Sequence, residues 1–225
     1  MSESSATLLS VNIAVPRTNP FKEADRTGID KRPVAGPVEV RAPGSKAHGL
    51  GSGLVGDYIG DRRAHGGNDQ AVYAYAVEDL QWWSDQLGTT LAFGHFGENF
   101  TTEGIEVNQS LVGEIWRVGD SCEIQITDPR IPCGTFRGWM NRAGWLKTFV
   151  QAARPGAYLR VLQPGAVAGG DAVEVIHRQQ HDVTIEKVFR AITTERELLP
   201  ELLVANELTE EIREMAQAGR GFDLD

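Results

Sequence analysis

The distribution of glycine constrains this chain more than any other feature. Seven of its 25 glycines fall between residues 49 and 67: Gly49, Gly51, Gly53, Gly56, Gly60, Gly66 and Gly67. Such a run does not hold a stable helix, because each glycine costs about 1 kcal/mol relative to alanine inside one. It predicts short strands and turns whose backbone lies close to another part of the molecule. From His181 to Ala218 glycine is absent. Composition therefore divides the chain into a turn-rich, strand-forming domain over 7–178 and a helical domain over 181–220.

Strand signals fill the first part. Thr7 to Val15 and Ala71 to Val77 are apolar and β-rich, and Val38 and Val40 mark a short strand. From Leu111 to Thr127 the side chains alternate around Gly119-Asp120, which predicts a hairpin with Cys122, Ile124 and Ile126 on one face. Gly56-Asp57 and Gly170-Asp171 read as similar turns into strands. Glu78 to Leu87 is a helix, with Leu80, Trp83 and Leu87 on one face and Gly88 just past its end. Many short strands at this spacing predict a β-barrel. In the second part, Ile185, Val188, Phe189 and Ile192 form one helix face. Thr194-Glu195-Arg196-Glu197 reads as a capping box before a second helix, and Leu208 to Ala218 as a third. The fold expected is thus β-rich with some α: a barrel with a few helices and a three-helix C-terminal appendage.

Charge and composition remove several functions. The net charge is −9, and residues 181–225 carry five Lys/Arg against eleven Asp/Glu. A three-helix module of that sign repels a phosphate backbone, so nucleic acid is not expected as a partner. No apolar run approaches the ~20 residues of a membrane span, and Met1 to Ala6 lacks the pattern of a signal peptide; the expectation is a cytoplasmic protein without a membrane partner. Two cysteines, Cys122 and Cys133, exclude an iron–sulfur or zinc site made of four cysteines of this chain. Electrons for any redox step must come from a separate protein.

The chemistry points to one window. Pro129 to Gly170 contains no Asp or Glu, where the chain average would place about six, and it contains Arg130, Arg137, Arg142, Lys147, Arg154 and Arg160. Such a window suits an anion, or else a face that pairs with the acidic helices of 181–225. Cys133 opens it in Pro129-Arg130-Ile131-Pro132-Cys133-Gly134, a stiff loop where a nearby cation favours the thiolate. Cys122, inside an alternating strand, reads as a buried structural thiol. A second constellation runs from Gly56-Asp57 through Asp61 to His65-Gly66-Gly67-Asn68-Asp69. Its glycines expose backbone N–H groups to an anion, and His65, oriented by Asp57 or Asp61, is a candidate proton donor. The bland alternative is a turn whose Asp side chains cap backbone N–H groups. A third, Phe93-Gly94-His95-Phe96-Gly97-Glu98-Asn99-Phe100-Thr101-Thr102, is either a turn before a strand or a place where Asn99 or Thr101 meets a ligand. Trp139 and Trp145 are candidates to flank a planar ligand or to pack in the core.

Taken in order, Gly-Asp, His-Gly-Gly-x-Asp-x-Ala-Val, Phe-Gly-Glu-Asn, Pro-Arg-x-Pro-Cys and a final Gly-Asp strand resemble the MOSC domain family, named after the C-terminal domain of molybdenum cofactor sulfurases. The helical run from about 181 resembles the tail of its YiiM-like branch. The resemblance implies a β-rich barrel that binds the molybdenum cofactor (molybdopterin), with Cys133 as the molybdenum ligand. It implies Lys31, in Gly28-Ile29-Asp30-Lys31, as a contact to the cofactor's phosphate, and Gly66, Gly67, Asp69, Asn99, Thr101 and Arg130 as further cofactor contacts. Members of that branch reduce N-hydroxylated bases such as 6-hydroxylaminopurine, which makes a detoxifying reductase the expected activity. Cys133, His65, Asp61 and Asp57 would then be the catalytic set, and a flavin or iron–sulfur reductase the electron donor. Gly134-Thr135-Phe136 departs from the usual aromatic and lysine after the cysteine, so substrate choice is not carried over. The alternatives are a cofactor carrier without turnover, a Cys133–His65 hydrolase or transferase, and a small zinc site from His65, Cys133 and an Asp.

Overall fold

A computed structural model describes residues 6–222. Twelve strands and six α-helices follow one another in chain order. β1 (Ala6–Ala14), β2 (Arg17–Thr18), β3 (Arg26–Thr27), β4 (Lys31–Pro33) and β5 (Val38–Val40) precede the glycine-rich segment. β6 (Val72–Ala76), α1 (Val77–Leu87), β7 (Phe100–Glu103), β8 (Ile115–Val118) and β9 (Cys122–Pro129) follow it. Then come α2 (Gly134–Met140), α3 (Trp145–Ala152), β10 (Ala157–Gln163), β11 (Gly165–Val167) and β12 (Ala172–His177). The chain ends in α4 (Ile185–Thr193), α5 (Leu199–Leu202) and α6 (Glu210–Ala218).

Seven strands close into a barrel in the order β12-β8-β9-β10-β6-β7-β1, with β1 pairing back to β12. Closure removes exposed sheet edges, the standing hazard of an all-β architecture. All neighbours run antiparallel except β6 and β7, which are parallel. A parallel pair needs a crossover, and α1 supplies it. β4 extends the sheet beyond β1, while β5 pairs with β11 and β2 with β3 in small ribbons.

The hairpin at Gly119-Asp120 joins β8 to β9 as the alternation predicts. Two expectations change. Gly56-Asp57 leads into no strand; the glycine-rich segment is turns with a single bridge, Val40 to Leu54. Its close approach explains this. Gly66 has φ of +83°, and a Cβ there would lie 2.7 Å from the Gly51 carbonyl oxygen. The second change lies at Thr194, which ends α4 instead of capping the next helix. Thr184 caps α4 with its hydroxyl, which accepts from the Lys187 N–H. A 3-10 turn over Arg196–Leu198 then feeds α5.

The C-terminal helices share the barrel's core. Val188, Ile192, Leu199 and Ile212 belong to the same buried cluster as Trp116, Ile124 and Leu159. A polar link accompanies the apolar one: Thr209, just before α6, donates to the buried carboxylate of Asp128 at 2.8 Å. A second core lies outside the barrel. Trp83, Phe96, Phe136, Trp145 and Phe149 interlock there, with ring centroids 4.9–6.1 Å apart. Each such side chain contributes about 1.5–3 kcal/mol by burial. Trp145 is therefore a core residue. This aromatic cluster is what folds the acid-free window into α2 and α3, which strand spacing alone does not foresee. No helix among the described residues is long and apolar enough to cross a membrane.

Candidate active site

Strand β9 leaves the barrel at Pro129 and delivers Arg130 and Cys133 to the rim. Arg130 is buried, and its guanidinium donates to the Phe96 carbonyl at 2.6 Å. It lies 3.7 Å from the centre of the Phe136 ring and 5.4 Å from that of Tyr73. The Phe96 carbonyl is itself fixed by a buried turn. Glu98 accepts from the N–H groups of Gly94 and Phe96 and from the Thr101 hydroxyl. Burial pushes the Glu98 carboxyl up to about 7, despite those hydrogen bonds. Gly94 is required in this turn: its φ is +84°, and a Cβ would meet the Lys31 carbonyl at 2.3 Å.

Cys133 caps the N-terminus of α2, and its carbonyl accepts from Arg137 N–H at 2.9 Å. Burial alone would raise its thiol. The opposing effects prevail: a hydrogen bond from His65, the charges of His65 and Arg130, and the Phe136 backbone N–H bring it down to about 6. The lowering favours the thiolate, the form that attacks electrophiles and binds soft metals. Cys122 shows the reverse, with burial pushing its thiol up to about 12.

Two cavities meet at this sulfur and share Cys133, His65, Gln70 and Tyr158 in their walls. The first reaches into the barrel mouth over Lys31, Asp61, Gly66, Asn99 and Arg130. The second, of about 350 Å³, opens between the 129–133 loop and α6. The amide oxygen of Gln70 is buried at their junction with no hydrogen-bond partner. Gln70, Tyr73 and Tyr158 escape the sequence reading. Their only sequence signal is position: Gln70 closes the glycine loop, and the tyrosines stand on paired strands, in register at Tyr158 and Tyr73.

The remaining candidates divide. Asp57 does not orient His65. Its carboxylate receives Lys31 Nζ at 2.6 Å on both oxygens, together with Ser52, Asn99 and the Ala14 N–H. Lys31 is correspondingly not a free cation for a phosphate, since both partners of this ion pair are buried. Asp61 also fails to reach the imidazole: it holds Arg63 by its side chain, and only its backbone carbonyl takes the His65 N–H. Asn99 reaches the cavity but is tied to Asp57 and the Asn12 carbonyl. Thr101, Asp69 and Gly67 line neither cavity. Thr101 is buried against Asn12 and Glu98, Asp69 pairs with Arg160, and Gly67 backs onto Lys46. The acid-free window pairs with Asp69 and Asp79 through Arg160 and Arg154, and among the described residues it forms no ion pair with the acidic tail. Among the described residues no three His, Cys, Asp or Glu side chains come together as a metal site, so the zinc alternative lacks ligands.

The chain belongs to the MOSC domain family: the family's sequence model matches residues 61–174. Its fold is similar to the crystal structure of YiiM from Geobacillus stearothermophilus, with a TM-score of 0.75 and 27% identity over 95% of this chain and 98% of that one. In sequence it is 28% identical over 187 residues to the uncharacterized protein YflK of Bacillus subtilis, covering 83% of this chain and 80% of YflK. It is also 26% identical over 152 residues to a protein of Gibberella moniliformis named "Reductase", covering 64% of this chain and 27% of that protein. The chain is thus a MOSC protein of YiiM-like architecture.

Proposed function

We propose that this protein holds the molybdenum cofactor at Cys133 and reduces N-hydroxylated compounds, such as 6-hydroxylaminopurine, to amines. The single observation that carries the reading is the Cys133 thiolate at the junction of two cavities. One cavity gives a site for the cofactor and the other an approach for the substrate. The donor set fits the group: a soft thiolate for the metal, and the unpartnered Gln70 oxygen for an N–H donor of the pterin. Arg130 adds a fixed positive charge beside the sulfur. The name of the Gibberella protein agrees with a reductase, and the family resemblance with a molybdenum cofactor.

The reaction balances as R–NH–OH plus two electrons and two protons giving R–NH2 and water. When bound, the cofactor supplies the two-electron reduction of the N–O bond; the protein positions and tunes. The chain's own residues do three things. Cys133 anchors the metal. His65, which lines both cavities with Cys133, moves a proton toward the departing hydroxyl oxygen. Arg130, held by the Phe96 carbonyl, keeps the site positive and favours the thiolate. The two cysteines cannot store or relay electrons, so a separate flavin or iron–sulfur protein supplies them.

The Cys133–His65 pair also fits a thiol hydrolase or transferase. That reading lacks the third group that holds the base in place, because neither Asp57 nor Asp61 reaches His65. One experiment separates the two. Produced in a host that makes the cofactor, the wild type carries about one molybdenum per chain and reduces 6-hydroxylaminopurine with a chemical electron donor, and Cys133→Ala carries none. A wild type without molybdenum, but with thiol-dependent hydrolysis, would overturn the proposal.

A further inference from the structure

The second cavity has a chemistry of its own, separate from the sulfur at its edge. Its lining has three kinds of side chain. Ile131, Pro132, Ile212 and Phe222 are apolar, and the carboxyls of Asp128 and Glu211 lie on the α6 side. Lys22 and Lys46 supply cations. Asp128 Oδ1 accepts from the Thr209 hydroxyl, while Oδ2 takes no hydrogen bond among the described residues. Arg63 is also at this cavity, but Asp61 engages it.

The lysines are the unusual part. Both are half-buried, and neither has a carboxylate within salt-bridge distance among the described residues. In a chain of net charge −9, a carboxylate partner is seldom far away. Lys22 lies close enough to Asp61 to lower its carboxyl, but Asp61 hydrogen-bonds Arg63, so two cations without an ion-pair contact line one cavity and suit an anion. The apolar zone suits a planar ring, and the carboxyls suit its N–H donors. About 350 Å³ accommodates a ligand of nucleotide size.

We infer that the second cavity is a nucleoside 5′-monophosphate subsite: Lys22 and Lys46 hold the phosphate, Ile131, Pro132 and Phe222 pack on the base, and Asp128 and Glu211 accept its amino group. The inference rests on the proposed reduction in one respect, that the ligand is the nucleotide form of an N-hydroxylated base. The free base is then the poorer substrate, because it leaves both lysines without a partner.

Adenosine 5′-monophosphate, the amine such a reduction would give, is the probe. Calorimetric titration of the cofactor-loaded full-length chain at low ionic strength should show it binding at least about tenfold tighter than adenosine. Lys22→Gln/Lys46→Gln should erase that difference and leave adenosine affinity unchanged, with an unaltered melting temperature showing that the variant folds. Equal affinity for both compounds, or no binding of either, overturns the inference. So does a preference seen only in cofactor-free protein, because the lysines then hold the cofactor's own phosphate. If the chain never takes up cofactor, the same titration runs on it as produced. A tenfold preference there sustains the subsite while the reductase reading fails.

Discussion

Cys122 and Cys133 lie at the two ends of one short stretch of chain and have opposite chemistry. Cys122 starts β9 inside the barrel and is fully buried, and its thiol is pushed up to about 12. Cys133 follows the end of β9, where the strand has left the sheet for a Pro-rich loop. There His65, Arg130 and the start of α2 bring the thiol down to about 6. Both thiols lose solvation, so burial does not separate them. What separates them is a hydrogen-bond donor and a cation within reach, which a barrel interior of Ile and Val does not provide. Reactivity here is a property of where a strand ends.

The sharpest break of this comparison is removal of the cavity-lining sulfur. Cys133→Ala should abolish molybdenum binding and N-hydroxy reduction, with less than about 1 kcal/mol change in stability. Metal analysis, turnover and urea unfolding read these together. Next in size is Asp57→Ala. It would leave Lys31 buried without its carboxylate, which costs about 3–5 kcal/mol. Chemical denaturation should show that loss, and a shift below about 1 kcal/mol would mean that Lys31 turns to another partner. Cys122→Ser should cost about 1–3 kcal/mol, because its hydroxyl would be buried among Ile124, Val161 and Gly165 without an acceptor. Turnover per folded molecule should not change.

His65→Ala probes the tuning itself. Below its folded titration point the Cys133 thiol is neutral and slow toward iodoacetamide; above it the thiolate reacts. In cofactor-free protein the alkylation rate should reach half its maximum near pH 6. Without His65 the midpoint should rise toward the ordinary thiol value of about 8.5. An unmoved midpoint would assign the lowering to Arg130 and the α2 backbone alone. The same titration bears on stability. A thiol lowered in the folded state contributes stability that is fully present above the unfolded thiol's titration and is lost as pH falls through about 6.

Much of this contrast was legible in the sequence, and the part that was not has a physical cause. Alternation around Gly119-Asp120 places Cys122 inward, and Pro129 to Gly134 places Cys133 on a loop. Both follow from local rules of period and backbone freedom. The pairing of charges does not. Asp57 and Lys31 are joined only when β4 and the glycine-rich segment meet. Sequence proximity therefore misassigned Asp57 to His65, from which it is separated by the turn at Gly60-Asp61. Helices α2 and α3 were hidden for a similar reason. Their apolar residues pack on Trp83 and Phe96, which lie far earlier in the chain. The C-terminal helices were legible as helices, yet their place in the barrel core was not, since Val188 and Ile212 find Trp116 and Ile124 only in three dimensions.

The smallest expected effect concerns the other end of the loop that carries Cys133. Asp128 is the last charged residue of β9, and its carboxyl is pushed up to about 7 by burial, against the hydrogen bond from Thr209. A carboxyl raised in the folded state contributes stability that is fully present below the unfolded value, and this is lost as pH rises through about 7. Unfolding free energy should therefore fall between about pH 4 and 7 through this group. Asp128→Asn keeps an oxygen for the Thr209 hydroxyl and cannot ionise. It should change stability at pH 5 by about 1 kcal/mol or less, the scale of one hydrogen bond, and flatten the decline at higher pH. Denaturation midpoints of both forms at pH 5, 6, 7 and 8 test this. If the decline is as steep in the variant, Asp128 is ionised throughout. The α6 contact would then be a charged hydrogen bond, and the carboxyl side of the second cavity would be negative at neutral pH.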